Sequence, residues 1–292
     1  MSTVEKNQQL FFVTGKGGVG KSLVAAALAE GFVQQGHKTL LIELGHESFY
    51  RHFYGLSGEE ERFVLPNGVE VQLLEGEAAL KEYVLHYVKI SKIVDLFFEN
   101  KVSRSLVKVA PGLKELAVMG KITSGIRKIG PPFDYDKIIV DGYATGHFLA
   151  LLRAPRGMYE AIQVGPMGVQ SKNIISVLSD PSKCQYYVVG LPEEMAIKEA
   201  IELRAEIYNE TQQASKLIIN QVLPKNIVDL AEQASPSEKD EFVQFLQHKH
   251  QSQIESLRQL VDSGTVFRTL DFYYENESLN LVKAMAGQLG DL

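Results

Sequence analysis

Gly15-Lys16-Gly17-Gly18-Val19-Gly20-Lys21-Ser22 satisfies the pattern G-x-x-x-x-G-K-[ST] at every fixed position. Residues 10–13, just before it, are apolar and read as a short strand. Residues 21–34, just after it, are rich in Ala and Leu and read as a helix closed by Gly36. Strand, glycine loop and helix in this order make a phosphate cradle. Backbone N–H groups must converge on phosphate oxygens, and side chains in the loop would block that approach. The helix N-terminus adds partial positive charge. The pattern therefore assigns the loop, with the following Leu23, to a nucleoside triphosphate such as ATP. Lys21 is expected on the β and γ phosphates, and Ser22 on Mg²⁺.

Working outward, residues 39–42, 69–74, 137–140, 186–189, 217–219 and 266–270 read as further strands. Helical stretches separate most of them, notably residues 193–208 and one or two helices within 238–260. Strands alternating with helices imply a mostly parallel, twisted sheet flanked by helices on both faces, an α/β fold. Such sheets bind ligands at the carboxyl ends of their strands. Residues 77–130 break the rhythm with no convincing strand. Leu80, Tyr83, Tyr87, Val94 and Phe97 fall near helical spacing, and a second helical piece follows Pro111-Gly112. The chain thus reads as a single domain over residues 1–292, with a helical insertion at about 77–130.

Bulk properties narrow the class. With 292 residues the chain has ample material for a core without staples. Its one cysteine, Cys184, excludes an internal disulfide and a cysteine-rich zinc site, and suits a reducing cytoplasm. The first nine residues are polar, so no leader is expected. No apolar run approaches the roughly 18–20 residues that span a bilayer. The net charge of −6 argues against coating nucleic acid. Between residues 101 and 128, however, lie Lys101, Arg104, Lys108, Lys114, Lys121, Arg127 and Lys128 against Glu115 alone. That stretch is either a solvated helical face or a docking surface for an acidic partner or membrane.

The strand at 137–140 ends in Asp141, a carboxylate presented beside the phosphate loop, where it suits a second Mg²⁺ ligand. Taken alone, Asp141 also suits a helix N-cap, and the later His147 a plain loop histidine. Lys16 is a second lysine inside the loop, which cradling phosphate does not require. This Lys-Gly-Gly-Val-Gly-Lys-Ser form resembles the deviant Walker A loop of the dimeric ATPases typified by ParA, MinD and ArsA. Asp141-Gly142-Tyr143-Ala144-Thr145-Gly146-His147 resembles the switch II segment of the arsenical-pump and tail-anchored-protein-targeting ATPases. Pro111-Gly112-Leu113-Lys114-Glu115, Leu191-Pro192-Glu193-Glu194-Met195 with Glu199, and the strand ending in Asn220 follow in that family's order.

The resemblance implies a P-loop NTPase fold and a nucleotide-gated dimer. It puts Lys16 across the dimer interface on the partner's nucleotide, alongside Lys21 as a catalytic cation. It adds Thr145 and Gly146 to the γ-phosphate sensor, and Asn220 to the adenine edge; otherwise Lys16 adds only local charge and Asn220 only ends a strand. One departure matters. The family reads Ser/Thr-Asp-Pro-Ala after its second strand, and its aspartate positions the attacking water. Here Glu43-Leu44-Gly45-His46-Glu47 puts Gly45 at that place. Slow hydrolysis is expected, or a regulatory subunit paired with an intact related ATPase, since positioning carries several kcal/mol of a barrier.

One cysteine disfavours an arsenite site, and the missing Cys-x-x-Cys pair disfavours a zinc-linked dimer. Leu80, Val84, Leu85, Val88, Val94, Leu96, Phe97 and Phe98 suit core packing better than a groove for a membrane segment, and Met119, Met158 and Met167 are few for one. Phe49, Tyr50, Phe53 and Tyr54 read as helix packing. A protein client is expected but unnamed, and a nucleic-acid or membrane partner is not. A positioning ATPase of the ParA/MinD type is the remaining alternative, weakened by a C-terminal helix with a single lysine.

Overall fold

The computed structural model describes residues 8–88, 112–234 and 240–290. In chain order the strands are β1 (Gln9–Gly15), β2 (Thr39–Leu44), β3 (Arg62–Val64), β4 (Glu70–Leu74), β5 (Lys137–Ala144), β6 (Cys184–Gly190), β7 (Lys216–Val222) and β8 (Phe267–Asp271). The helices are α1 (Lys21–Gln34), α2 (Phe49–Tyr54), α3 (Gly76–Val88), α4 (Leu113–Ile122), α5 (Ser124–Arg127), α6 (Thr145–Ala161), α7 (Gly165–Leu178), α8 (Glu194–Thr211), α9 (Lys225–Ala234), α10 (Glu241–Asp262) and α11 (Ser278–Leu289).

The strands form one eight-stranded sheet in the order β3-β4-β2-β5-β1-β6-β7-β8. Every pairing is parallel except β3 with β4. The expected α/β architecture is therefore present, and the central strands carry continuous apolar runs, as strands covered on both faces do. Residue alternation splits the interior into two layers. Leu10, Phe12, Ile42, Val140, Val188 and Ile219 face one way, packing with Leu116, Met119, Phe148 and Leu203 from α4, α6 and α8. Phe11, Val13, Leu41, Ile139, Val189 and Ile218 face the other, against α1 and α11. From α1, Val24, Ala25, Ala26, Ala27, Leu28 and Ala29 are all buried, which small residues permit at close helix–sheet approach.

Starting from β1, the chain first builds towards β2 and β4, then returns through β5 and continues on the far side with β6, β7 and β8. The crevice outside the carboxyl end of β1 lies at this reversal, where open α/β sheets bind ligands.

Several elements depart from the sequence expectation, α9 at Lys225–Ala234 among them. The strand β3 was not expected: it is three residues long, sits at the sheet edge and follows Glu59-Glu60-Glu61. Nor was α7, which begins at Gly165-Pro166 and buries only part of its surface. Within the helical insertion, α3 and α4 are present, and their Leu80, Leu116 and Met119 share a cluster with one face of the sheet. Val94, Leu96, Phe97, Phe98, Lys101, Arg104, Lys108 and Pro111 lie outside the described residues. Among the other cations of the basic stretch, Lys114 pairs with Glu77 at 3.5 Å and Lys121 with Glu82. Arg127 bonds Thr123 Oγ1 and the Gly120 carbonyl. These internal partners favour a folded helical face over a free basic patch. Among the described residues, no helix is long and apolar enough to cross a membrane.

A candidate nucleotide site at the end of β1

Each loop glycine is explained by local geometry. Gly15 pairs in register with Val189 of β6, and a Cβ there would stand 2.2 Å from the Val189 carbonyl oxygen. Gly18 and Gly20 hold φ of 84° and 90°, the left-handed region that favours glycine. A Cβ at Gly17 or Gly18 would meet no atom within 4 Å, so that side of the loop is open. Two remote side chains fix the loop. The Thr14 hydroxyl donates to the Tyr143 carbonyl at 3.0 Å, tying β1 to the end of β5. The Asn220 amide donates to the Val19 carbonyl at 2.9 Å from the end of β7, and Asn220 is buried. Whatever Asn220 does for a base, it anchors the loop.

The cations follow. Lys21 begins α1 and folds back so that its ammonium donates to the Lys16 carbonyl at 3.0 Å. Burial holds its pKa below the ordinary lysine value, and the charge of Asp141 works against that shift. Lys16 reaches away from the loop to Glu199 of α8, Nζ to Oε1 at 2.6 Å. The two lysines thus occupy different places, one inside the loop and one on its rim. Lys16, Gly17, Thr145, Gly146, Arg153 and Glu199 line part of an open groove of about 810 Å³ beside the loop. Thr145 and Gly146 open α6, whose N-terminus has no side-chain cap, so its first amides are available to an anion.

The carboxylates sit deeper. Asp141 stands opposite Val13 of β1 and Glu43 of β2. Burial pushes its pKa up to about 6, while hydrogen bonding from Ser22 and Tyr50 and the charge of Lys21 pull it down. The Tyr50 hydroxyl lies 3.0 Å from Asp141 Oδ2 and 3.0 Å from the Ser22 carbonyl. Glu43 is raised by burial first, against hydrogen bonds from Ser48 and Phe49, with the Asp141 charge adding to the rise. Its two oxygens accept from the Ser48 hydroxyl at 2.6 Å and from the Phe49 N–H, so it closes the turn into α2.

A Mg²⁺–nucleotide complex needs hard oxygen ligands, backbone donors and a cation beside open space. Ser22, Asp141, Lys21 and the open face of the loop meet that need. Gly45 leaves a side-chain-free point at φ 148° with open space around it. Of the polar side chains flanking Gly45, Glu43 is committed to the turn, His46 faces Glu75 at 3.3 Å, and Glu47 is exposed.

The sequence reading named the loop, Asp141, Thr145, Gly146 and Asn220, and the fold gathers them at the carboxyl ends of β1, β5 and β7. It did not find Tyr50 or Thr14. Their polar atoms act across the sheet on partners 91 and 129 positions away, and no local pattern signals that.

Comparison with known proteins fits this geometry. The sequence model of the family described as anion-transporting ATPase matches residues 8–165 and 164–263. The chain belongs to that family. It is similar to ATPase BagA of Mycobacterium tuberculosis, with 28% identity over 237 residues, covering 77% of this chain and 69% of that one. It is also similar to ATPase GET3B of Arabidopsis thaliana, with 23% identity over 274 residues, covering 76% of this chain and 66% of that protein. The arsenical pump-driving ATPase of Acidiphilium multivorum is 24% identical over 242 residues, 77% of this chain but 41% of the pump protein. The resemblance drawn from the loop and the Asp141 segment thus leads to the same family as the comparison over residues 8–263.

Proposed function

We propose that this chain binds ATP with Mg²⁺ at the β1 loop and works as a nucleotide-gated dimeric ATPase that engages a protein partner. The observation that carries this reading is the convergence of the glycine loop, Lys21, Ser22 and Asp141 at one end of the sheet. In it, the N–H groups of Gly15 to Leu23 receive the phosphates, and Lys21 leaves the Lys16 carbonyl for a phosphate oxygen. Ser22 and Asp141 hold Mg²⁺, which neutralises phosphate charge when bound. Thr145 and Gly146, at the exposed N-terminus of α6, read the γ-phosphate.

Lys16 acts in trans. It exchanges Glu199 for the nucleotide of a second subunit, either another copy of this chain or a related ATPase. A dimer favoured by ATP and loosened by ADP lets α6 and the helical insertion report the nucleotide state, by no more than the nucleotide's differential affinity for the two forms. The whole chain acts as one domain, since both apolar layers share one sheet. We assign it to the cytoplasm, in keeping with its single cysteine. Gly45 supports slow intrinsic hydrolysis, because no side chain stands there to orient water. The same residue favours a second reading, a regulatory subunit completed by a related ATPase.

Sedimentation with ADP and with a non-hydrolysable ATP analogue tests the gate: the analogue is expected to shift the chain to a dimer. A monomer with both nucleotides removes the gated dimer. Single-turnover hydrolysis tests the rest. A slow rate is expected, and a fast rate abolished by Asp141→Asn would remove the slow-hydrolysis reading.

A further inference from the structure

Tyr50 is the residue beside the site whose position packing alone does not explain. Its ring is fully buried among α2 and the α1 face of the sheet, where phenylalanine would pack as well. Its hydroxyl, however, is placed between two oxygen atoms of the site, the Ser22 carbonyl and Asp141 Oδ2, each at 3.0 Å. A phenol has one proton to give, and neither a carbonyl nor a carboxylate can supply another. The charged carboxylate is the stronger acceptor, so the proton goes chiefly to Asp141.

Tyr50 is also held rigidly. It stands on α2, whose N-terminus is capped by Ser48 accepting from the Arg51 N–H. Glu43 closes the preceding turn, and Phe49 stacks edge-on against the Tyr50 ring at 5.3 Å. Further along α2, the Phe53 carbonyl accepts from Ser278 of α11 at 2.6 Å. A hydroxyl fixed this firmly sets the orientation of whatever it bonds. Aspartate has two soft torsions, and with the Tyr50 hydroxyl gone Ser22 alone would hold the buried Asp141 carboxylate, leaving it freer to turn or take up a proton.

We propose that Tyr50 is a positioning residue for the metal half of the site: its hydroxyl aims the Asp141 carboxylate at Mg²⁺ and ties the segment following β2 to metal occupancy. This rests on the reading of Asp141 and Ser22 as the Mg²⁺ side of a nucleotide site. Partners that orient metal-binding groups commonly matter tenfold or more in metal affinity. Tyr50→Phe deletes one oxygen and keeps the ring, so phosphate binding by the loop is spared.

The test measures affinity for a fluorescent ATP analogue with excess Mg²⁺ and with EDTA, in wild type, Tyr50→Phe, Asp141→Asn and the double variant. The expected result is an unchanged affinity in EDTA for Tyr50→Phe, with about a tenfold loss of the tightening that Mg²⁺ brings. In the Asp141→Asn background, Tyr50→Phe should cost nothing further, because the hydroxyl acts through that carboxylate. Wild-type tightening retained in Tyr50→Phe overturns the proposal and leaves the site reading intact. An equal loss with Mg²⁺ and with EDTA reassigns Tyr50 to packing. A further loss in the Asp141→Asn background means that the hydroxyl does not act through Asp141. Wild type that binds the analogue equally with and without Mg²⁺ overturns the metal reading, and this proposal with it.

Discussion

At the scale of single residues, the site depends on atoms that are missing as much as on those present. Gly15 is the sharpest case. Its missing Cβ is what lets β1 run beside β6, because that atom would stand 2.2 Å from a strand carbonyl. A backbone oxygen inside a parallel ladder cannot swing aside as a side chain does. Gly15→Ala is therefore expected to cost about 1–3 kcal/mol, the range of an overpacked interior. Urea denaturation read by circular dichroism checks this, and an unchanged midpoint would contradict the close approach. Gly17 makes the opposite case, since a Cβ there meets nothing within 4 Å. Gly17→Ala should fold with an ordinary midpoint and lose affinity for nucleotide, which separates the glycine that serves the fold from the one that serves the ligand.

Among the elements, the short α2 carries more than its length suggests. It has six residues, too few to hold its shape alone in water, so its ends must be fixed by neighbours. Ser48 caps it, and Glu43 gathers the Ser48 hydroxyl and the Phe49 N–H from the end of β2. Removing the carboxylate leaves a half-buried N–H without its acceptor. Glu43→Ala is expected to cost about 1–2 kcal/mol, while Glu43→Gln keeps one carbonyl acceptor and costs less. Hydrogen exchange localises the effect: protection should fall across α2 and hold in β1 and β5.

These elements also mark what the sequence could convey. The helix after the loop was legible to its boundaries and the strand before it to within two residues, because glycine punctuation and an Ala-rich run are local signals. The strand read as ending in Asp141 runs three residues further, to Ala144. Gly142, Tyr143 and Ala144 lie past a shift in register with β1, where Ala144 pairs with Gly15 and the Thr14 hydroxyl holds the Tyr143 carbonyl, and no local pattern signals either contact. β3, with only Phe63 and Val64 apolar among its three residues, is too short to show an alternation. Phe49, Tyr50, Phe53 and Tyr54 were recognised as packing, which is correct for their rings. The Tyr50 hydroxyl escaped notice, since its partner Asp141 is brought to it only by the pairing of β2 with β5.

For the molecule as a whole, Cys184 offers a probe of how binding at one end of the sheet stabilises the rest. It opens β6, opposite Leu10 of β1, and is fully buried at the start of an interior strand of the sheet. Burial pushes its thiol pKa up to about 12. The sign of the linkage follows. The unfolded thiol ionises near its ordinary value of about 8.5, and the folded one does not, so the unfolded state holds fewer protons above that pH. The contribution is complete below about pH 8.5 and is lost as pH rises towards 12. The buried Tyr50 and Tyr186, also raised by burial, work in the same direction at higher pH. A thiol reagent at pH 8 should therefore find Cys184 unreactive in the folded chain, and label it only when β6 leaves the sheet. Where reclosing outpaces labelling, a ligand that binds only the folded form at about 100 times its Kd slows labelling about 100-fold. Mg²⁺ with a non-hydrolysable ATP analogue should produce that slowing in wild type, and much less of it in Lys21→Ala. Labelling that ignores bound nucleotide would mean that β6 opens alone, with β1 and its loop left in place, against the pairing that joins Leu10 to Cys184 and Gly15 to Val189.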